Sequence, residues 1–205
     1  MALLLEARRP FNFAHLLTGV RLALTPLFLF AIAAAEQQPN AVRATLVAGL
    51  FALICASDYY DGPLARALGL DSDLGKVLDN LADITFVLVT LTYLVHRGAV
   101  PWWIPTAIAL AFGQYTLDSW LLSGRGTSVT LVPNPLGHWA GILNYLFTGV
   151  TALNAALQQR LLPGVLYRGL LAFWLVYLLL AMGVRLRFFL RTRWASTRTV
   201  KTKTY

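Results

Sequence analysis

The stretch Ser57-Asp58-Tyr59-Tyr60-Asp61-Gly62-Pro63-Leu64-Ala65-Arg66 closes one long apolar run of the chain, and Gly75-Lys76-Val77-Leu78-Asp79-Asn80-Leu81-Ala82-Asp83 opens the next. Asp58 and Asp61 are spaced i, i+3 and Asp79 and Asp83 i, i+4, so on helices each pair shares one face. A helix that crosses a bilayer needs about 20 largely apolar residues. Working outward from the acidic stretch, six such runs are found, at 14–35, 41–66, 74–96, 100–123, 132–157 and 164–190. The breaks between them carry loop chemistry: Glu36 to Asn40 around Pro39, Gly69 to Ser72, His96-Arg97-Gly98, Gly124-Arg125-Gly126, and Gln158 to Arg160 ahead of Pro163-Gly164. The expected fold is an all-α integral membrane protein of six transmembrane helices, with residues 1–190 as one membrane domain and 191–205 as a basic tail that frays into the headgroup region.

Composition agrees. Of 205 residues 58% are hydrophobic and only 13% charged, with mean hydropathy +0.62, values that exclude a water-soluble globular domain. One cysteine, Cys55, excludes an internal disulfide, a Cys-based zinc site and an iron–sulfur cluster. The net charge of +8 in so apolar a chain points to orientation in a bilayer and contact with anionic lipid, and no basic patch interleaved with aromatics suggests nucleic acid. Six spans put both termini on one side. That side collects Arg8, Arg9, Arg125 and the cations from Arg185 to Lys203, with Arg66 and Lys76 close by; the other has Arg43, Arg97, Arg160 and Arg168. Both termini are therefore expected in the cytoplasm of a multi-pass cell-membrane protein. Arg8-Arg9 ahead of an apolar run ending Ala33-Ala34-Ala35 has the outline of a secretory signal, but Arg21 interrupts that run and the segment is long for one.

Six of the nine acidic residues fall between positions 58 and 83. Asp71 and Asp73 read as solvated loop acids, whereas Asp58, Asp61, Asp79 and Asp83 sit at helical spacing within apolar spans, where an ionisable group costs free energy and marks function. If the two faces oppose each other, four carboxylates form a cage that needs cationic compensation, and an all-oxygen donor set suits hard divalent ions. Two Mg²⁺ or Mn²⁺ ions are the expected cofactors. Gly62, Ala65 and Gly75 keep that face clear for a close-lying ligand, and Arg66 offers a fork suited to phosphate oxygens. Metals, arginine and a clear floor fit a metal-bridged diphosphate. Clustered intramembrane carboxylates also line ion pathways, so a divalent-cation transporter is the reading from another class.

Asp58-x-x-Asp61-Gly62-x-x-Ala65-Arg66, eight residues, then Gly75-x-x-x-Asp79-x-x-x-Asp83 resembles the signature of the CDP-alcohol phosphotransferases (CDP-alcohol phosphatidyltransferases), with every fixed position present. His15-x-x-Thr18-x-x-Arg21 resembles the Asn-x-x-Thr-x-x-Arg pattern that opens that family's first helix, with His15 in place of Asn. The resemblance implies a metal-dependent enzyme of phospholipid biosynthesis, its site at the cytoplasmic ends of helices two and three, that displaces CMP from a CDP-linked donor by an alcohol hydroxyl. It implies that Asp58, Asp61 and Asp79 hold the two metals. Asp83 would complete the second metal site and act as the base that takes the acceptor's proton. Gly62, Ala65, Arg66 and Gly75 would frame the donor, with Ser72 and Thr18 as further donor contacts. It also implies a homodimer.

The acceptor is less defined. Members that use glycerol phosphate carry a Gly-Lys-x-Lys-Thr-x-x-Gln pattern early in helix five; here the stretch is Gly137-His138-Trp139-Ala140-Gly141-Ile142-Leu143-Asn144, without either lysine. In helix four Asp118 stands where those members carry an Arg-Glu pair, and a bare Asp118 would repel a phosphorylated acceptor. Arg125, and His138 if protonated, could receive one. Asp118, Arg125 and His138 are thus the candidate acceptor pocket. The short chain resembles the small members that take CDP-diacylglycerol as donor and a small polar alcohol as acceptor; the alternative within the family transfers from CDP-choline or CDP-ethanolamine to diacylglycerol.

Overall fold

The computed structural model describes residues 13–67, 73–122, 135–158 and 161–201, and these form six helices: α1 (Phe13–Gln37), α2 (Ala41–Ala67), α3 (Asp73–His96), α4 (Trp103–Leu122), α5 (Pro135–Ala156) and α6 (Gly164–Lys201). Four of them, over Thr18–Gln37, Ala41–Tyr60, Val77–His96 and Gly164–Phe188, are long and apolar enough among the described residues to cross a membrane. The chain is accordingly a helical membrane protein.

Local chemistry sets the helix ends. Asn40 caps α2, its Oδ1 accepting from the Arg43 amide at 2.8 Å. The Arg43 guanidinium turns back to donate to the Ala34 and Gln38 carbonyls at 2.7 and 3.2 Å, tying the start of α2 to the end of α1. Gly98 stops α3 at a φ of 70°. There the Gly98 amide donates to Val95 and the Ala99 amide to Leu94, the paired bonds of a Schellman ending. Pro101 delays α4 to Trp103, later than the expected start at 100. The larger difference is at the other end of the chain. The tail expected to fray from Arg191 is helical to Lys201, because no Gly or Pro interrupts it and the cations of its last turns oppose the negative end of the helix dipole.

The core is a line of Phe28, Ile32, Val47, Ile54, Phe86, Leu91, Ile104, Ile108, Phe147 and Trp174, with Ala31, Ala35, Ala152 and Ala155 where backbones approach. Small residues at such contacts let helices pack closely where the hydrophobic effect between helices is weak. α1 lies along α2 over the longest contact of the bundle and also touches α3 and α5; α4 packs on α3, and α6 on α4 and α5. At Gly149 of α5 an added Cβ would fall within the Phe51 ring of α2, so any larger residue there would force that ring to move. Large apolar side chains such as Phe30, Val42, Val165 and Phe173 cover the outside, as lipid contact requires.

Polar side chains gather at the two ends of this core. At one, Glu36 of α1 accepts from Tyr93 of α3 at 3.0 Å and from Arg97, just past the end of α3, at 2.9 Å, and Tyr167 of α6 donates to the Ala99 carbonyl at 2.7 Å. The other end carries the acidic residues.

Candidate metal centre

Three carboxylates converge at that end. Asp58 comes from the C-terminal part of α2, Asp79 and Asp83 from the first turns of α3, and one oxygen of each lies within 4.8 Å of the others. The helical spacing of Asp79 and Asp83 puts both on one face of α3, and α1, which packs on both α2 and α3, lets Asp58 meet them across it. All three are partly open, with side-chain exposures of 36%, 37% and 27%. They can therefore meet a polar substrate while standing on a packed core.

Arg21 is the positive partner. Its side chain is fully buried in α1, with Nη2 3.0 Å from Asp58 Oδ1, Nη1 2.9 Å from Asp79 Oδ1, and Nη1 also bonded to Asp83 Oδ1. One guanidinium thus ties α1 to α2 and α3. Tyr145, on α5, donates its hydroxyl to the same Asp83 Oδ1 at 2.7 Å. Four helices therefore meet at one cluster of three acids, one cation and one phenol. The donor set is oxygen only and anionic, which fits Mg²⁺ or Mn²⁺ and not a soft thiolate-loving metal. Asp58, Asp79 and Asp83 are the described residues that could hold such an ion.

Of the other residues singled out from sequence, Thr18 lies one turn before Arg21 on α1, and Gly75 one turn before Asp79 on α3; both are half-buried. Asp61, Gly62, Ala65 and Arg66 belong to α2 and His138 to α5, but their side chains lie outside the described residues, as do Ser72 and Arg125 altogether. Asp118 is not bare. It is buried on α4, 3.2 Å from Arg185 Nε of α6, while Arg185 Nη2 donates to the Tyr115 carbonyl at 3.1 Å and the guanidinium lies over the Tyr115 ring at 4.2 Å. The repulsion expected of Asp118 is therefore removed by a neighbouring cation that sequence order places far away. Asn144, where the acceptor pattern ends, accepts from Trp174 Nε1 of α6 at 3.1 Å.

Sequence alone assigns no role to two members of the cluster. Arg21 stands in the quoted N-terminal pattern, and its charge inside an apolar helix is a signal, but along the chain it reads only as an interruption of the run. Tyr145 gives no signal, since one aromatic among the apolar residues of α5 is ordinary core.

Comparison with known proteins bears on this arrangement. The chain is 36% identical over 97 residues to a probable phosphatidylglycerophosphate synthase of Mycobacterium tuberculosis, covering 47% of this chain and 46% of that one. It is 31% identical over 144 residues to the CDP-diacylglycerol–glycerol-3-phosphate 3-phosphatidyltransferase of Bacillus subtilis, covering 65% and 74%. It is also 37% identical over 107 residues to the CMP-forming cardiolipin synthase of Streptomyces coelicolor, covering 52% and 48%. The chain thus spans about half the length of the mycobacterial and Streptomyces relatives it matches. The profile of the CDP-alcohol phosphatidyltransferases matches residues 11–185, a stretch that holds Arg21, the three clustered carboxylates and Tyr145, and the chain belongs to that family.

Proposed function

We propose that this protein transfers a phosphatidyl group from CDP-diacylglycerol to the hydroxyl of a small polar alcohol and releases CMP. The observation that carries the reading is the convergence of Asp58, Asp79 and Asp83 at one end of the bundle, within the family's own signature. The relatives' names, which include a CDP-diacylglycerol-dependent transferase and a CMP-forming synthase, support the donor.

In the proposed reaction the acceptor oxygen attacks the phosphorus that carries diacylglycerol. A new P–O bond forms, the P–O bond to CMP breaks, and CMP leaves with the electron pair. Asp83 takes the acceptor's proton. Asp58, Asp61 and Asp79, with Asp83, hold two divalent ions, whose chemistry when bound is to neutralise diphosphate charge and make CMP a better leaving group. Arg66 and the clear positions Gly62, Ala65 and Gly75 hold the donor, Thr18 and Ser72 add polar contacts, and Asp118, Arg125 and His138 line the acceptor side. We place the cluster at the cytoplasmic face of six spans, α4 and α5 included, because the cations concentrate on that side.

The test is CMP release from CDP-diacylglycerol by the purified protein with glycerol 3-phosphate, serine, inositol, inositol phosphate or choline as acceptor. Release with at least one acceptor in Mg²⁺ or Mn²⁺, abolished by EDTA, is expected. No release with any acceptor, or undiminished release in EDTA, overturns the reading.

A further inference from the structure

Two donors reach Asp83 through the same oxygen: Arg21 Nη1 and the Tyr145 hydroxyl both bond to Oδ1, and Asp58 lies against the same carboxylate. Two donors on one carboxylate oxygen restrain the orientation of the whole group. Resting on the phosphatidyltransferase reading, we infer that Tyr145 is a positioning residue: its hydroxyl, with Arg21, holds the Asp83 carboxylate in the orientation from which it takes the acceptor's proton.

The surroundings of Tyr145 are built for this. Its ring packs on Phe86, centroids 5.3 Å apart, and Phe86 is fully buried one turn after Asp83 on the same helix. The ring is thus held against the element whose carboxylate the hydroxyl grips. α5 itself cannot turn freely: Asn144 is bonded to Trp174, Phe147 stacks on the Trp174 ring at 5.1 Å, and Gly149 lies against Phe51. A phenol on a helix held against both α6 and α2 donates its hydrogen bond to one place. Phenylalanine would fill the same core volume, so packing does not require the hydroxyl; its bond to Oδ1 gives it a use. The step stays balanced, because Tyr145 keeps its proton throughout and the acceptor's proton ends on Asp83. α5 also carries the stretch that resembles the family's acceptor pattern, so the same helix would place the acceptor and aim the base.

Tyr145→Phe keeps the ring and removes the bond. Turnover should fall about a hundredfold, the size of loss that misplacing a catalytic group produces. The KM for CDP-diacylglycerol and the affinity for Mn²⁺, read by electron paramagnetic resonance without turnover, should stay within about twofold, since uniform binding is untouched. The double variant Tyr145→Phe/Asp83→Asn should be no slower than Asp83→Asn, because a residue that acts through another adds nothing once the other is gone. Unchanged turnover in Tyr145→Phe, a parallel loss of Mn²⁺ affinity, or additive losses in the double variant would each overturn the assignment while leaving the phosphatidyltransferase reading intact. A wild-type protein that releases no CMP would remove both.

Discussion

At the scale of single residues, the three described carboxylates do different work if the proposed chemistry holds, and substitution separates them. Asp83→Asn keeps the shape and one acceptor oxygen but cannot take a proton at neutral pH. Turnover should drop by about a hundredfold to ten-thousandfold, the span of general-base contributions, while much of the donor binding survives. Asp58→Asn and Asp79→Asn should lose donor binding as well, since each removes a charged ligand from the ions that grip the diphosphate. Donor affinity and single-turnover CMP release on each variant check this, and near-normal turnover in Asp83→Asn would remove it from the base role. Arg21→Met leaves the three acids facing one another without their buried cation. The acids left behind are partly open to water, which screens them, so the loss should fall short of that of a fully buried pair, at about 1–3 kcal/mol; thermal unfolding in detergent should come earlier, and more so in EDTA than in Mg²⁺. The aspartates are legible in the sequence because carboxylates at helical spacing inside apolar runs cost too much free energy to stand there without a role. Arg21 is half legible: its charge is visible, but its three partners lie on helices far along the chain. Tyr145 is not legible at all, because a hydroxyl's partner is a fact of packing.

At the scale of helices, glycine spacing matters where backbones meet. Gly149 accepts the Phe51 ring of α2. Gly149→Val should therefore destabilise by about 1–3 kcal/mol through overpacking, and adding Phe51→Ala should restore part of the loss; thermal unfolding of the three variants reads the coupling. If Gly149→Val unfolds as the wild type does, the close approach of α5 to α2 is wrong. Most helix limits can be read from Pro39, Gly98 and Pro163-Gly164, whose backbone preferences are local. The run of α6 past Arg191 cannot, because the sequence there is polar and basic, and polarity alone does not end a helix.

At the scale of the whole molecule, the proposed six-span topology makes a labelling prediction. Cysteine introduced at Ser72 or Ser123 should react with an impermeant thiol reagent from the cytoplasmic side, and at Gln38 or Gln159 from the other, in a background where Cys55 is replaced. Reaction of all four from one side would overturn the topology. The long sixth helix has a further consequence for how deep the protein sits. At about 1.5 Å per residue its 38 residues rise about 57 Å, close to twice the ~30 Å of bilayer hydrocarbon. Its apolar stretch ends at Phe188, and Arg187 and Arg191 stand at that limit. Sinking would drag these cations into oil, at about 2.5–3.5 kcal/mol each near the centre; rising would lift apolar rings and leucines into water. The helix therefore behaves like a hull with a marked waterline. Through Asp118–Arg185 and Asn144–Trp174 it carries α4 and α5 at the same draught, and with them the rest of the bundle. If the proposed reaction holds, the height of the aspartates relative to the lipid phosphates is set by where that waterline falls, and the acyl-chain length of the surrounding membrane becomes an input to how well the site meets a lipid donor.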